Sequence, residues 1–213
     1  ILQTFANQEA DVLIGTQMIV KGHDFPNVTL VGILAADMSL HVSDFHAAER
    51  TFQLLTQAAG RAGRGDEPGD VIIQTYNPEH YAVTAAAKED YAAFYENEIM
   101  YRSLMSYPPV ANLMAISLSS KAEEEADALA EFLASRIKAW VDENDKSELA
   151  VVIGPAPAGI AKIKDVYRRV IYLKHGEYGL ITACKDAIEK VVTADLVFAK
   201  CTVQFDINPL AVL

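Results

Sequence analysis

The sequence predicts a mixed α/β protein of two domains: an α/β domain with a parallel sheet over residues 1–106, and an α+β sandwich over residues 107–213. In the first domain, helical patterns accompany short apolar runs, which are typical of parallel strands covered on both faces. The second domain has the order strand, helix, strand, strand, helix, strand, which is typical of a ferredoxin-like fold. Pro108 and Pro109 mark the boundary, because tandem prolines cannot continue a helix.

A helix predicted to be capped by Ser43 or Asp44 and to end near Ala59 is the central element of the first domain. Its apolar residues recur at helical spacing, so one of its faces is expected to pack on a core. A helical pattern returns from Pro78 to about Met105, with a break near Lys88. The other predicted elements are the end of a helix over residues 1–9 and strands over residues 11–15, 28–34 and 70–76.

The second domain contains one clearly basic strand. Along residues 166–174, Ile171 and Leu173 share a face with Arg169, which suits a core side with one arginine at its edge. The opposite face carries cationic and aromatic side chains. The other elements are predicted as strands over residues 112–118, 149–153 and 201–207, helices over residues 120–141 and 177–192, and a Pro- and Gly-rich loop over residues 154–159. The first of these helices has one apolar stripe, formed by Ala126, Leu129, Leu133, Ile137 and Trp140.

Composition limits the classes of protein that fit the chain. Hydrophobic residues make up 51% of the sequence, but no apolar run is long enough to span a membrane. The net charge of −11 opposes nonspecific nucleic-acid binding over the whole surface. Any such binding would need a restricted basic site, and residues 162–174 form one. Two cysteines without metal-ligand spacing, Cys184 and Cys201, indicate reduced thiols in a cytoplasmic protein.

The stretch from Gln57 to Arg64 carries the strongest chemical signal. Gln57, Arg61 and Arg64 stand at i, i+4 and i+7, so on a helix their side chains would share one face. Two guanidinium groups and an amide on one face suit a clustered anion such as a phosphate group. The structural alternative is an exposed helix end whose arginines complement the helix dipole. The small residues between the arginines favour the phosphate interpretation, because they let another surface approach closely.

Three parts of the sequence resemble the replication-restart (primosomal) DNA helicases of superfamily 2. Residues 57–64 have the pattern Gln-x-x-Gly-Arg-x-Gly-Arg of helicase motif VI, and residues 15–28 resemble the long motif V of this family. Residues 44–50 are similar to the family's approach to motif VI. The second domain shares Tyr107-Pro108-Pro109, Gly154 to Ala158, Tyr167-Arg168 and Asp206-Ile207-Asn208-Pro209, although the family more often ends with Asp-Val-Asp-Pro. The resemblance covers essentially the whole chain. It implies that residues 1–77 are the later portion of the second RecA-like helicase lobe.

The resemblance implies a role for each residue of the nucleotide site. Arg61 and Arg64 would contact the γ-phosphate of ATP, one of them as an arginine finger, and Gln57 would position the attacking water or the phosphate. Asp24 would accept a hydrogen bond from the ribose, and Gly22 would permit a tight turn beside it. A cap or turn role before Phe25-Pro26 is the structural alternative for Asp24.

The DNA-contacting residues are expected in two places. By resemblance, Thr16 and Gln17 would contact a backbone phosphate of the tracked strand. The basic strand and the loop before it allow two interpretations, which stay open: contact with fork DNA, or a solvated sheet face. The residues concerned are Lys162, Lys164, Arg168 and Lys174.

The family implies an ATP-dependent 3′-to-5′ DNA helicase that recognises stalled or abandoned replication forks and restarts replication by primosome assembly. Forked and single-stranded DNA, primosome proteins and single-stranded DNA-binding protein would be its partners. ATP and Mg²⁺ would be held largely outside this chain, because no Gly-x-x-x-x-Gly-Lys-[Ser/Thr] loop or Asp-Glu-x-His box is present. The zinc module of the family is also absent, and the five histidines show no metal spacing.

We therefore expect the chain to be part of a longer protein and to be inactive as an ATPase on its own. Two alternative functions stay open from the residues. One is a non-catalytic module that binds DNA or a partner, and the other is a different superfamily 2 translocase.

Overall fold

A computed structural model of the chain describes residues 1–20, 25–42, 44–64, 68–145, 149–194 and 200–210. These residues form two compact units. The first unit comprises Ile1–Val42 and His46–Glu98, and the second comprises Ser43–Phe45 and Ile99–Leu213. The domain boundary predicted between residues 106 and 107 stays a prediction.

The first unit is built on two parallel strands, β1 (Leu30–Ile33) and β2 (Asp70–Ile73). Its core lies where aromatic and aliphatic side chains of the helices meet, and Phe52 stacks on Phe94 with ring centroids 4.3 Å apart. The predicted parallel sheet is therefore confirmed. The described α-helices of this unit are α1 (Leu2–Ala6), α2 (Ala47–Ala59) and α3 (Tyr81–Ala87), and α4 (Tyr91–Met105) begins in the first unit and ends in the second.

Two predictions for the first unit were wrong. Residues 11–15 do not form a strand, and Val12 and Ile14 are 73% and 88% exposed. A strand needs a hydrogen-bonded neighbour, and in the described residues the parallel sheet consists of β1 and β2 alone. Helix α2 begins at Ala47, so the N-cap position is occupied by His46 and not by Asp44. Ser43, the other predicted cap, lies outside the described residues. The predicted end at Ala59 is correct.

A buried aspartate that the sequence did not single out fixes the connection after β2. The carboxylate of Asp37 accepts hydrogen bonds from Thr75 Oγ1 at 2.5 Å, Tyr76 N at 2.7 Å and Asn77 N at 3.2 Å. The bond from Thr75 is the main cause of the lowered pKa of Asp37. Asn77 is thus held in this turn. Helix α3 starts at Tyr81 rather than at Pro78, and Nδ1 of His80 caps it.

The second unit has one antiparallel sheet with strand order β4-β5-β3-β6. Placed in chain order, this is the strand, helix, strand, strand, helix, strand arrangement of a ferredoxin-like fold, which confirms the prediction. The elements are β3 (Asn112–Ser120), α5 (Glu123–Asn144), β4 (Val151–Ile163), β5 (Val166–His175), α6 (Tyr178–Ala194) and β6 (Thr202–Ile207).

The core of the second unit lies between the sheet and its two helices. Each fully buried Leu or Ile side chain stabilises such a core by about 1.5–3 kcal/mol relative to exposure. Ile116 of β3 pairs with Ile171 of β5, and both are fully buried. The predicted helix stripe faces the same core through the buried residues Ala126, Leu129, Leu133 and Ile137.

The predicted loop over residues 154–159 is instead part of β4. The ladder between β4 and β5 continues through this stretch with two register shifts, one between Ile153 and Ala156 and one between Pro157 and Lys162. Prolines fit a strand at such irregularities, because no ladder hydrogen bond is required of them there. Gly154 has a φ of +102°, and a Cβ there would lie 2.8 Å from Val170 O, so only glycine fits. Turn-forming residues had indicated a loop where a bulged strand occurs.

Candidate functional site

The two arginines of the predicted phosphate site lie in a loop, not on a helix. Gln57 is exposed near the end of α2, but the helix ends at Ala59 and Gly60 follows it as the C-cap. Arg61 and Arg64 come after that end. The expectation that all three side chains share one helical face is therefore wrong. We call residues 60–64 the arginine loop.

The arginine loop is held against the start of both parallel strands. Gly63 N donates a hydrogen bond to Val28 O, just before β1, at 3.0 Å. Gly63 has a φ of +68°, and a Cβ there would lie 2.8 Å from the N of Gly69, the residue before β2. A Cβ on Gly69 would in turn overlap the backbone at Gly63. These two glycines therefore allow two backbone segments to pack closely against each other.

The two guanidinium groups differ in exposure. Arg64 is exposed, and its Nε donates a hydrogen bond to Gly60 O at 2.7 Å. This bond joins the base of the guanidinium to the backbone of its own loop. Arg61 is half-buried. A glycine-bounded loop that presents arginines has the chemistry of an anion site, since guanidinium groups bind phosphate oxygens bidentately.

The predicted motif V residues are only partly described. Gly22 and Asp24 lie outside the described residues. Thr16 and Gln17 are both exposed, and Gln17 begins a 3₁₀ helix, Gln17–Val20. The Thr16 hydroxyl accepts a hydrogen bond from Met18 N at 3.5 Å. That 3₁₀ helix contacts α2, so the structure brings this turn to the helix that leads into the arginine loop.

The predicted basic residues of the second unit lie at and near a hairpin. Lys162 Nζ lies 3.1 Å from Asp165 Oδ1, 3.3 Å from the Tyr167 hydroxyl and 4.6 Å from the centroid of the Tyr167 ring. The hydrogen bond with Asp165 is the main cause of the raised pKa of Lys162. Lys164 is exposed in the two-residue turn between β4 and β5, and Arg168 is half-buried on β5.

Arg169 lies on the helix-covered face, as the strand alternation indicated. Its side chain is 9% exposed and forms ion pairs with Glu123 at 2.9 Å and Asp127 at 2.5 Å, both on α5. The hydrogen bond with Asp127 is the main cause of the raised pKa of Arg169. This arginine therefore joins sheet to helix and is not presented to a ligand.

Lys174 is placed differently from the prediction. It is only 6% exposed, its Nζ donates to Met105 O at 2.9 Å, and it lies 3.5 Å from the ring centroid of Tyr107. Burial lowers the pKa of this ammonium group. Tyr107 in turn stacks on Phe45, also in the second unit, with centroids 4.8 Å apart. This burial leaves Lys174 poorly placed for the predicted contact with DNA. Strand alternation could not reveal the burial, because Tyr107 covers this end of the sheet from a distant part of the sequence.

The described residues contain neither a membrane-spanning helix nor a cluster of metal ligands. None of these helices has both the length and the apolar character needed to cross a bilayer. Within the same ranges, no group of three or more His, Cys, Asp and Glu side chains is arranged to hold a metal ion.

Two family comparisons match the two parts of the chain. Residues 1–66, which include the arginine loop, match the helicase conserved C-terminal domain. Residues 103–210 match the primosomal protein N C-terminal domain. These matches define a helicase lobe followed by a primosomal domain.

The chain belongs to the primosomal, or replication restart, protein family. It is 42% identical over 209 residues to the replication restart protein PriA of Bacillus subtilis, 37% identical over 212 residues to that of Treponema pallidum, and 34% identical over 212 residues to that of Synechocystis. These alignments cover 98–100% of the chain but 25%, 31% and 24% of the respective relatives. The chain thus spans about a quarter to a third of the proteins it resembles.

Proposed function

We propose that this chain supplies the later part of the second motor lobe, and the C-terminal domain, of an ATP-dependent 3′-to-5′ DNA helicase. That helicase recognises stalled or abandoned replication forks and restarts replication by primosome assembly. The proposal rests on one observation: the same chain matches a helicase domain over residues 1–66 and a primosomal domain over residues 103–210. Forked DNA, primosome proteins and single-stranded DNA-binding protein are its proposed partners.

In this proposal the arginine loop acts on the phosphates of ATP. Arg61 and Arg64 contact the γ-phosphate, where cationic groups stabilise the charge that spreads over the transferring phosphoryl oxygens. Gln57 reaches the same region from the last turn of α2 and positions the attacking water. The hydrogen bond from Arg64 Nε to Gly60 O supports this role, because it orients the guanidinium before nucleotide binds.

The rest of the nucleotide site is proposed to come mainly from other parts of the complete protein. The sequence holds no phosphate loop and no Asp-Glu-x-His box, so the fit of this chain to ATP is limited to one side of the nucleotide. Gly22 and Asp24 would contact the ribose side. Mg²⁺ is likewise proposed to be held largely by other parts of the complete protein. When bound, it would neutralise charge on the phosphates.

DNA is proposed to contact both units. Thr16 and Gln17 are exposed at the start of a 3₁₀ helix, where a hydroxyl, an amide and backbone N–H groups suit a strand phosphate. In the second unit we retain Lys162, Lys164 and Arg168 and leave out the buried Lys174. These are contacts with the DNA backbone, so they position the strand without reading its sequence.

DNA-stimulated ATP hydrolysis and strand separation by the complete protein test this function against a non-catalytic module. A duplex with one single-stranded arm, in both polarities, is the substrate. We expect ATP-dependent unwinding only from the 3′ single-stranded arm. Binding to DNA without hydrolysis would favour the non-catalytic module, and unwinding from the 5′ arm would contradict the proposed polarity.

A further inference from the structure

The tip of the β4–β5 hairpin exposes two isoleucines, one inside a bulge of β4 and one next to the turn. Between the paired residues Pro157–Arg169 and Lys162–Tyr167, β4 carries residues 158–161 opposite the single residue Arg168. Ile160, inside this bulge, is 61% exposed, and Ile163, next to the turn, is 41% exposed. Bulges re-aim side chains and are frequent at functional sites.

Three cationic residues lie in the same segment of the hairpin as these isoleucines. Lys162, Lys164 and Arg168 lie at or near the tip against the single acid Asp165, in a chain whose net charge is −11. Arg169 does not add to this field, because it faces α5 and pairs with acids there. A hairpin tip that carries both exposed apolar and cationic side chains therefore fits an anionic ligand that also presents flat apolar surface.

Nucleic acid has this combination of surfaces. Lysine and arginine neutralise its phosphates, and aliphatic side chains such as Ile can act as wedges against exposed or unstacked bases. Two isoleucines are too small a surface for a stable protein interface, which buries about 1,200–2,000 Å². Lys164 and Asp165 both have positive φ, at 46° and 61°, as is usual in a two-residue hairpin turn.

We infer that this hairpin contacts the junction between single-stranded and double-stranded DNA, with Ile160 and Ile163 against the bases and Lys162, Lys164 and Arg168 on the phosphates. The inference rests on the proposed function for the identity of the ligand as DNA. It adds a contact with the bases, which the backbone contacts alone do not require.

Binding of the 213-residue chain to two fluorescent DNA probes tests the inference. One probe is a fork with unpaired arms, and the other is a closed dumbbell duplex with the same number of phosphates. The Ile160→Ser/Ile163→Ser variant should bind the fork about tenfold more weakly, since the two exposed fractions together amount to about one buried Ile side chain. Its affinity for the dumbbell and its salt dependence should stay unchanged. A 2-aminopurine at the junction should brighten with the original chain and not with this variant.

Two further variants separate the possible failures. Leu149→Ser removes an apolar side chain that is 70% exposed just before the other end of β4, and it should bind both probes normally. The Lys162→Ala/Lys164→Ala/Arg168→Ala variant should bind both probes more weakly. Its log–log salt slope should shrink by about 0.7–0.9 for each DNA phosphate that the removed side chains had neutralised.

Three results would overturn the inference: normal fork binding by the isoleucine variant, an equal loss on the dumbbell, or the same loss in Leu149→Ser. If the isoleucine variant binds normally and the basic variant binds weakly, the proposed backbone contacts stand and only the interaction with the bases is refuted. If neither variant changes binding, hairpin contact with DNA fails as a whole, while ATP hydrolysis by the complete protein still decides the motor function separately.

Discussion

Changing Gly63 to Ala tests whether the arginine loop depends on a close backbone contact, between Gly63 and Gly69, that only glycine allows. Gly63 has a φ of +68°, and the added Cβ would lie 2.8 Å from Gly69 N. A left-handed conformation costs an L residue about 1–2 kcal/mol. The extra carbon in a tight contact adds about 1–3 kcal/mol. We therefore expect Gly63→Ala to lower the free energy of unfolding of the first unit by about 2–5 kcal/mol.

Hydrogen–deuterium exchange of peptides that cover β1 and β2 measures this loss. Where exchange follows the opening equilibrium, 2 kcal/mol corresponds to about 30-fold faster exchange. Trp140, the single tryptophan, lies in the second unit, so its fluorescence-detected unfolding midpoint should not move.

Gly32→Ala is the matched control for Gly63→Ala. It places a methyl group in β1 where nothing lies within 4 Å, and it should leave exchange unchanged or slower. If the amides of Gly63→Ala exchanged no faster than those of Gly32→Ala, the close backbone contact between Gly63 and Gly69 would not require glycine.

Three other outcomes are expected. Burial raises the pKa of the Cys184 thiol to about 12 from its ordinary 9.0, so above that ordinary value the unfolded chain ionises the thiol and the folded chain does not. Stability should therefore fall as pH rises, by about 2 kcal/mol near pH 10.5, and Cys184→Ala should remove this loss when urea midpoints are compared with those near pH 8. His175→Ala removes the imidazole whose Nε2 lies 3.6 Å from the buried Asp145 carboxylate, and should cost about 1.5–3 kcal/mol in the same assay, whereas the exposed His41→Ala should cost less than about 0.5 kcal/mol. Finally, the purified chain should fold, with a cooperative Trp140 transition, but should not hydrolyse ATP, because it lacks a phosphate loop; DNA-stimulated turnover that survives removal of contaminating helicase would contradict this.

The order of elements in the second unit could be predicted from sequence because apolar residues recur there at the spacing typical of a helix or of a strand. The stripe of α5 and the alternation along β5 placed Ile137, Ile171 and Leu173 in the core, and all three are fully buried. The same alternation correctly placed Arg169 on the face of the sheet that the helices cover. The element that failed was β4, where Pro155 and Pro157 look like turn residues. Pro155 lies inside a register shift and Pro157 pairs with Arg169 just before the next one, which only pairing with β5 makes visible.

The residues of the candidate phosphate site could be named from sequence, but their geometry could not. Spacing placed Gln57, Arg61 and Arg64 on one helix face, whereas α2 ends at Ala59 and leaves both arginines in a loop. Contacts between residues far apart in sequence gave no local signal. Asp37 binds a turn about forty residues later, and Tyr107 covers Lys174 across a still longer gap. Periodicity within one element cannot reveal such contacts.

ATP hydrolysis by the complete protein with Arg64→Ala or Arg61→Ala tests most directly whether the arginine loop acts on the phosphates of ATP. We expect the DNA-stimulated rate to fall by about 10³–10⁵-fold, or about 4–7 kcal/mol of transition-state stabilisation, with DNA affinity nearly unchanged. Arg64→Lys should recover little, because lysine cannot bind two phosphate oxygens in a planar fork. Arg136→Ala, at an exposed position on α5, should hydrolyse ATP normally. Normal hydrolysis together with weak DNA binding in the Arg61 or Arg64 variants would contradict the account and assign the arginine loop to DNA.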